Sequence, residues 1–188
     1  MHSRRGAHSG PAGAGVSAAP DKPRTGSLLH FADELDRQRP ATEAPTGAEL
    51  HLVTFALDRE EFGLPIAQVR EVIRVGEITR VPQARPHVRG VTNLRGRVLA
   101  VVEIRTRLGL TVATTTPRSR IIVVGVHDRT LGILVDAVSQ VVKVPADTVV
   151  PPPEEVLSPG TDYISGVARW NSRLIVLLDL EKVLSLQD

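Results

Sequence analysis

From His51 onward the apolar positions fall into short runs rich in Val, Ile and Leu, separated by charged and turn-forming residues, the texture of small all-β barrels. His51 to Leu57 sets Leu52, Thr54 and Ala56 on one face against Val53, Phe55 and Leu57 on the other and predicts a strand. A turn over Asp58-Arg59-Glu60-Glu61 leads to a second strand over 62–66. The stretch 68–75 fits two descriptions. Val69, Val72 and Ile73 have the i, i+3, i+4 spacing of a short helix, while Val72 and Val75 also suit the start of a strand. Strands over 90–93 and 97–104 flank a Leu94-Arg95-Gly96 turn, with a short helical exit over 105–108. Further strands follow over 121–126, 130–135, 140–144, 163–168 and 173–180, the first two joined by a His127-Asp128-Arg129 turn. Pro151-Pro152-Pro153 forces an extended connection outside any ladder, and 181–186 predicts a short terminal helix.

The pattern occurs twice. Phe62 to Val75 aligns with Leu131 to Val144, placing Gly63 over Gly132, Val69 over Val138 and Val72 over Val141. Gly90-Val91 aligns with Gly166-Val167, and Val98 to Ile104 with Leu174 to Leu180. A period of about 70 residues is too long for a solenoid unit and fits a duplicated small domain. Residues present in both copies are explained by the fold, and those in one copy only are better candidates for function. Thr92-Asn93-Leu94-Arg95-Gly96-Arg97 aligns with Ala168-Arg169-Trp170-Asn171-Ser172-Arg173, so Arg95 and Gly96 belong to the first copy alone. Gly96 reads as a turn residue with positive φ, and Gly63 and Gly132 as a hairpin or a close backbone approach.

Residues 1–48 are rich in Gly, Ala, Pro, Ser and Thr and read as a disordered tail, since their scattered apolar residues cannot offset the entropy of ordering. Within it, Ser27 as a cap, Leu28, Phe31 and Leu35 at helical spacing and Pro40 as a stop predict a short helix over 28–39 that could dock a partner or fold back on the body. Residues 49–188 form the body, two β-barrel subdomains in an intertwined or tandem arrangement. At about 140 residues it can bury roughly two-thirds of its unfolded surface.

Composition narrows the function. There is no cysteine, which excludes disulfides and thiolate metal sites and fits a reducing cytoplasm. No run has the roughly 20 apolar residues of a membrane-spanning helix, so membrane association must come through a partner. The net charge is only +2, but Arg74, Arg80, Arg85, Arg89, Arg95, Arg97, Arg105 and Arg107 are opposed in that stretch by Glu77 and Glu103 alone. With 3% aromatic residues the chain lacks the stacking platforms of single-strand nucleic-acid binders, so the basic surplus reads as a solvated face or a patch for an acidic protein partner.

No catalytic constellation, phosphate loop or nucleophile elbow is present, and no metal or cofactor site is expected. The histidines, His51, His87 and His127 among them, are scattered and read as surface residues. Glu71, Asp136 and Asp179 lie among apolar residues and read as members of structural ion pairs. An enzyme using Glu71 as a base is the weakest reading, because nothing suggests a substrate.

Phe62-Gly63-Leu64-Pro65-Ile66, Val69-Arg70-Glu71-Val72, Val81-Pro82, Gly90-Val91-Thr92-Asn93-Leu94-Arg95-Gly96, Gly132-Ile133-Leu134-Val135-Asp136 and the Pro-rich 150–153 strongly resemble the CheW family of bacterial chemotaxis coupling proteins. The resemblance runs from about Leu50 to the C-terminus. It implies an all-β fold of two tandem five-stranded β-barrels with short helical connections and no enzymatic activity. It also implies an adaptor linking the cytoplasmic tip of methyl-accepting chemoreceptors to the regulatory domain of the histidine kinase CheA, in the cytoplasm at membrane-associated arrays. By position, Glu71 and Arg95 correspond to a family carboxylate and guanidinium that pair and shape the receptor-facing surface, and Val69, Gly90 and Val91 to the edges of an apolar groove for a helical partner. For Val69, which Val138 repeats, core packing is an equal reading. The alternative is an adaptor of the same fold in a non-chemotaxis pathway of motility or gene regulation.

Overall fold

A computed structural model describes residues 47–154 and 162–184. The predicted helix over 28–39 lies outside the described residues. Eleven strands and one short helix follow in order: β1 (Glu49–Leu57), β2 (Glu60–Pro65), β3 (Val69–Arg74), β4 (Val88–Leu94), β5 (Arg97–Glu103), β6 (Arg120–Val126), β7 (Arg129–Val135), β8 (Ala137–Pro145), β9 (Val149–Val150), β10 (Ile164–Trp170), β11 (Arg173–Leu178) and α1 (Leu180–Val183). Single 3-10 turns precede β3 and β9. The turn placed at Asp58–Glu61 is shorter than its four polar residues suggest. Glu60 and Glu61 already pair with Leu57 and Ala56, because only Asp58 and Arg59 are needed to reverse the chain. The exit after β5 is one helical turn, with Leu108 N–H donating to the Ile104 carbonyl at 3.0 Å.

The strands form two sheets, ordered β8-β1-β2-β11-β10-β9 and β3-β6-β7-β5-β4. Neither sheet follows the boundary between the copies. The first hairpin of each copy, β1–β2 or β6–β7, is built into the sheet made by the rest of the other copy, so the halves are intertwined. Each exchange is sealed by a parallel joint, β2 with β11 and β5 with β7. The repeated glycines sit at these joints. A Cβ on Gly63 would meet Ile175 Cγ2 at 2.8 Å, and one on Gly132 would meet Ile121 Cγ2 at 2.6 Å, so both are close-approach positions.

The exchange yields three apolar layers instead of one. Leu52, Val142, Val144, Ile175 and Leu177 fill the inside of the first sheet, and Leu99, Val101, Ile121, Val123 and Leu134 the inside of the second. Between the sheets lies a larger shared layer that includes Phe55, Phe62, Val102, Ile122, Ile133, Val176 and Leu178. Strands such as β6 and β11 thus bury both faces, which is why their sequences are nearly unbroken apolar runs. At its end, Asp179 accepts hydrogen bonds from Glu181 N–H and Lys182 N–H and caps α1, whose Leu180 and Val183 cover the shared layer.

The ambiguous stretch 68–75 resolves as strand, with an explanation for its helical spacing. Arg70 is an extra residue in the β3–β6 ladder, since Val69 pairs with Val124 and Glu71 with Val123. The bulge changes which face odd positions occupy. Val69 packs on the shared layer while Ile73 faces the interior of its own sheet, so residues four apart are both turned inward without a helix. Ser139 is the matching extra residue of β8, again 69 residues on.

Candidate functional site

The β4–β5 connection is a two-residue hairpin turn in which Arg95 (φ 52°) and Gly96 (φ 83°) both have positive φ. This geometry matches the twist of the flanking strands. Asn93 Oδ1 accepts a hydrogen bond from Gly96 N–H at 2.8 Å and braces the turn. The second copy makes the same turn with Asn171 (φ 45°) and Ser172 (φ 62°). Asn tolerates the left-handed conformation through local hydrogen bonding, whereas an arginine there costs about 1–2 kcal/mol. Arg95 is thus a charged residue in a left-handed turn position whose counterpart in the second copy is neutral.

Arg95 Nη2 donates to Glu71 Oε2 at 2.8 Å. Glu71 lies on β3 and Arg95 follows β4, and these are the two end strands of their sheet. In a flat sheet four strand spacings would separate them by about 19 Å. The contact therefore requires the sheet to curl until its ends meet, and the ion pair lies across that seam. Glu71 is the anchored partner, with 27% of its side chain exposed, while the Arg95 side chain is 79% exposed and presents its remaining donors outward. At the corresponding places the second copy has Gln140 and Asn171, so it carries no charge pair there.

The other predicted site residues are placed differently. Gly90 is buried, and a Cβ on it would overlap the Thr79 carbonyl and approach Ile78 Cγ2 at 2.9 Å. Thr79 and Val91 exchange two backbone hydrogen bonds of 2.8 Å, so the segment after β3 lies along the outer edge of β4. Val91 lines a cleft of about 310 Å³ together with Glu77, Thr79, Asn93, Gly96 and Val98. Val69 is turned away from this cleft, against the shared layer. The structure brings Glu71 to Arg95, and Val91 to the Gly96 side of the same turn. Val98, 80% exposed beside Asn93, is a surface residue that sequence reasoning did not single out. Its parity was the available signal, since Leu99 and Val101 face inward.

Two buried charges sit at the other end of β5, away from the turn. Glu103, at the end of β5, has 7% of its side chain exposed and lies 3.5 Å from Arg89. Burial pushes its carboxyl above the usual range and Asp136 adds to this, while Arg89 and Arg105 pull it down. Arg105 is also buried. It donates to Asp136 Oδ2 and, at 2.8 Å, to the Thr111 carbonyl, and the same Asp136 oxygen accepts from Asp58 N–H at 2.8 Å. Asp136 thereby joins the β1–β2 turn of one sheet to the exit of β5 in the other. Glu71 and Asp136 stand in ion pairs, and Asp179, which caps α1, also lies 3.8 Å from Lys182 Nζ. His87 is not a surface residue. It is buried just before β4, its carbonyl accepts from Glu103 N–H, and burial together with Arg107 and Arg85 holds its imidazole below the usual histidine range.

The CheW-like domain family matches residues 51–188. The chain is 31% identical over 134 residues to a chemotaxis protein CheW of Klebsiella aerogenes, covering 71% of this chain and 81% of that protein. It is 36% identical over 138 residues to a chemotaxis protein CheW of Rhizobium meliloti, covering 73% and 89%. The crystal structure of the scaffolding protein TtCheW from Thermoanaerobacter tengcongensis superposes with a TM-score of 0.69 at 29% identity, covering 74% of this chain and 95% of that one. The all-β architecture is thus shared with a known scaffolding protein. The chain belongs to the CheW family of chemotaxis adaptors.

Proposed function

We propose that this chain couples the cytoplasmic tip of a methyl-accepting chemoreceptor to the regulatory domain of the histidine kinase CheA, as a scaffold without catalytic activity. Its place is the cytoplasmic face of membrane-associated receptor arrays, reached through its partners. Among the described residues no helix is long and apolar enough to cross a membrane. The receptor-facing surface is the seam where Glu71 holds Arg95, continued by Val91 along the neighbouring cleft. Val69 and Gly90 shape it from behind, Val69 by packing on the shared core and Gly90 by admitting the Thr79 backbone.

The observation that carries this reading is the Glu71–Arg95 pair, present in the first copy and replaced by neutral residues in the second. A guanidinium held by one carboxylate keeps a fixed planar fork with donors to spare for a partner. The names of the relatives above favour chemotaxis over a non-chemotaxis pathway. The test is autophosphorylation of CheA homologues, with receptor signalling fragments present, as the chain is titrated in. Coupling appears as a rise in phosphorylation with one kinase that Arg95→Glu abolishes. No effect with any kinase would overturn the proposal.

A further inference from the structure

The segment between β3 and β4 forms a second cleft, of about 280 Å³, which the proposed coupling surface does not use. Arg80, Arg85 and Arg89 surround it, Val81, Pro86 and Val88 supply apolar walls, and Glu103 also lines it. Arg89 lies against Glu103, so these two charges offset each other. Two further arginines, Arg80 and Arg85, line the cleft. Both are exposed, and among the described residues neither has a carboxylate at ion-pair distance, whereas Arg89 and Arg95 each hold one. Two unpaired guanidinium groups beside apolar walls make a site for an anionic segment that also carries apolar side chains.

We propose that the occupant is this chain's own N-terminal segment over 28–36. It reads Leu-Leu-His-Phe-Ala-Asp-Glu-Leu-Asp, with Asp33, Glu34 and Asp36 forming the densest acidic cluster of the first 48 residues and Phe31 and Leu35 supplying apolar groups. Arg37 and Arg39 follow it and lie outside the stretch assigned to the cleft. Reach permits the contact. The eleven residues from Asp36 to Gly47 span up to about 36 Å when extended. A body of about 140 residues has a radius of gyration of about 14 Å, hence a width of roughly 37 Å. Tethering supplies an effective concentration on the order of millimolar, so a weak contact suffices to keep the cleft occupied. An acidic partner would compete with the tail for the basic face. This assignment stands independently of the coupling function.

The absence of cysteine allows two to be introduced for spin labelling of the full chain. Ala32→Cys reports on the tail, and Val141→Cys, exposed on β8, is a fixed reference outside both clefts. The expected result at low salt is a narrow distribution of distances. It should become broad in Arg80→Glu/Arg85→Glu and narrow again when Asp33→Arg, Glu34→Arg and Asp36→Arg are added to that variant. The native distribution should also broaden at 1 M salt, where the Debye length is about 3 Å. A broad distribution in the native chain would overturn the proposal and leave the cleft to an acidic protein partner. A narrow one indifferent to both charge reversal and salt would equally overturn it.

Discussion

Glu71 Oε2 and Arg95 Nη2 lie 2.8 Å apart although they come from opposite ends of a five-stranded sheet. The pair is a product of curvature. Neither residue is near the other along the ladder, and the two meet because β3 and β4 curl towards one another around Leu99, Val101 and Ile121. A charged group fixed at such a seam reports the shape of the sheet to whatever binds there.

Arg95→Glu sets a carboxylate against Glu71 and removes the outward donors. Receptor-dependent stimulation of kinase phosphorylation is expected to fall more than about tenfold, because like charges set against each other at a binding surface oppose docking. Stability, read from a denaturation midpoint, should change by less than about 1 kcal/mol because the pair is exposed on the Arg95 side. Arg173→Glu, whose native partner is Glu61 at 3.5 Å, should leave stimulation within about twofold. Equal losses from both substitutions would contradict the asymmetry between the copies.

Gly90→Ala places a methyl group where the Thr79 carbonyl lies. The strand edge must then release the segment after β3, and amide exchange at Thr79 and Val91, whose N–H groups bond each other's carbonyls, should accelerate at least about tenfold, the factor that a 1.4 kcal/mol loss of local protection produces. Unchanged exchange at both amides would show that the backbone contact is not limiting.

Asp136→Ala leaves the buried Arg105 guanidinium with the Thr111 carbonyl and without the carboxylate it is hydrogen-bonded to. Breaking a buried pair from one side costs about 3–5 kcal/mol, and the part exposure of Asp136 places the expected loss at the lower end, about 3 kcal/mol, by chemical denaturation. A loss below about 1 kcal/mol, the value of a surface pair, would mean that water solvates Arg105 in the variant.

Glu103 titrates higher in the folded chain than its ordinary value of 4.5, mainly because it is buried. The folded state therefore holds a proton that the unfolded state has already lost. Its contribution is most favourable below pH 4.5 and declines as pH rises through the raised value. Glu103→Gln removes this decline, so the stability of the variant relative to the native chain should rise with pH across that window. A difference that stays flat would assign the raised value to something other than Glu103.

Much of this architecture was legible in the chain. Alternation located the strands, turn residues located the hairpins, and the recurrence of Gly63 as Gly132 and Gly90 as Gly166 marked a duplication. Errors fell where one residue carries two meanings. Val69, Val72 and Ile73 imitated a helix because Val72, which completes the i, i+3, i+4 spacing, is an apolar residue exposed on β3. Glu60 and Glu61 looked like turn residues because charge does not distinguish a half-buried strand edge from a loop. His87 looked exposed because a lone histidine carries no sign of the strand that covers it, and Glu103 was not singled out because its burial depends on Arg89 and on the segment before β4.

The sequence by itself determined the all-β class, the two copies and the residue, Arg95, that sets them apart, since each follows from local periodicity or from comparing one segment with another. Only the tertiary structure decided that each copy's first hairpin completes the other's sheet, that three apolar layers replace one, and that Glu71 reaches Arg95. Periodicity states which side chains share a face, but strand pairing is made between residues far apart in the chain. Which partner a face meets depends on the packing of the whole molecule.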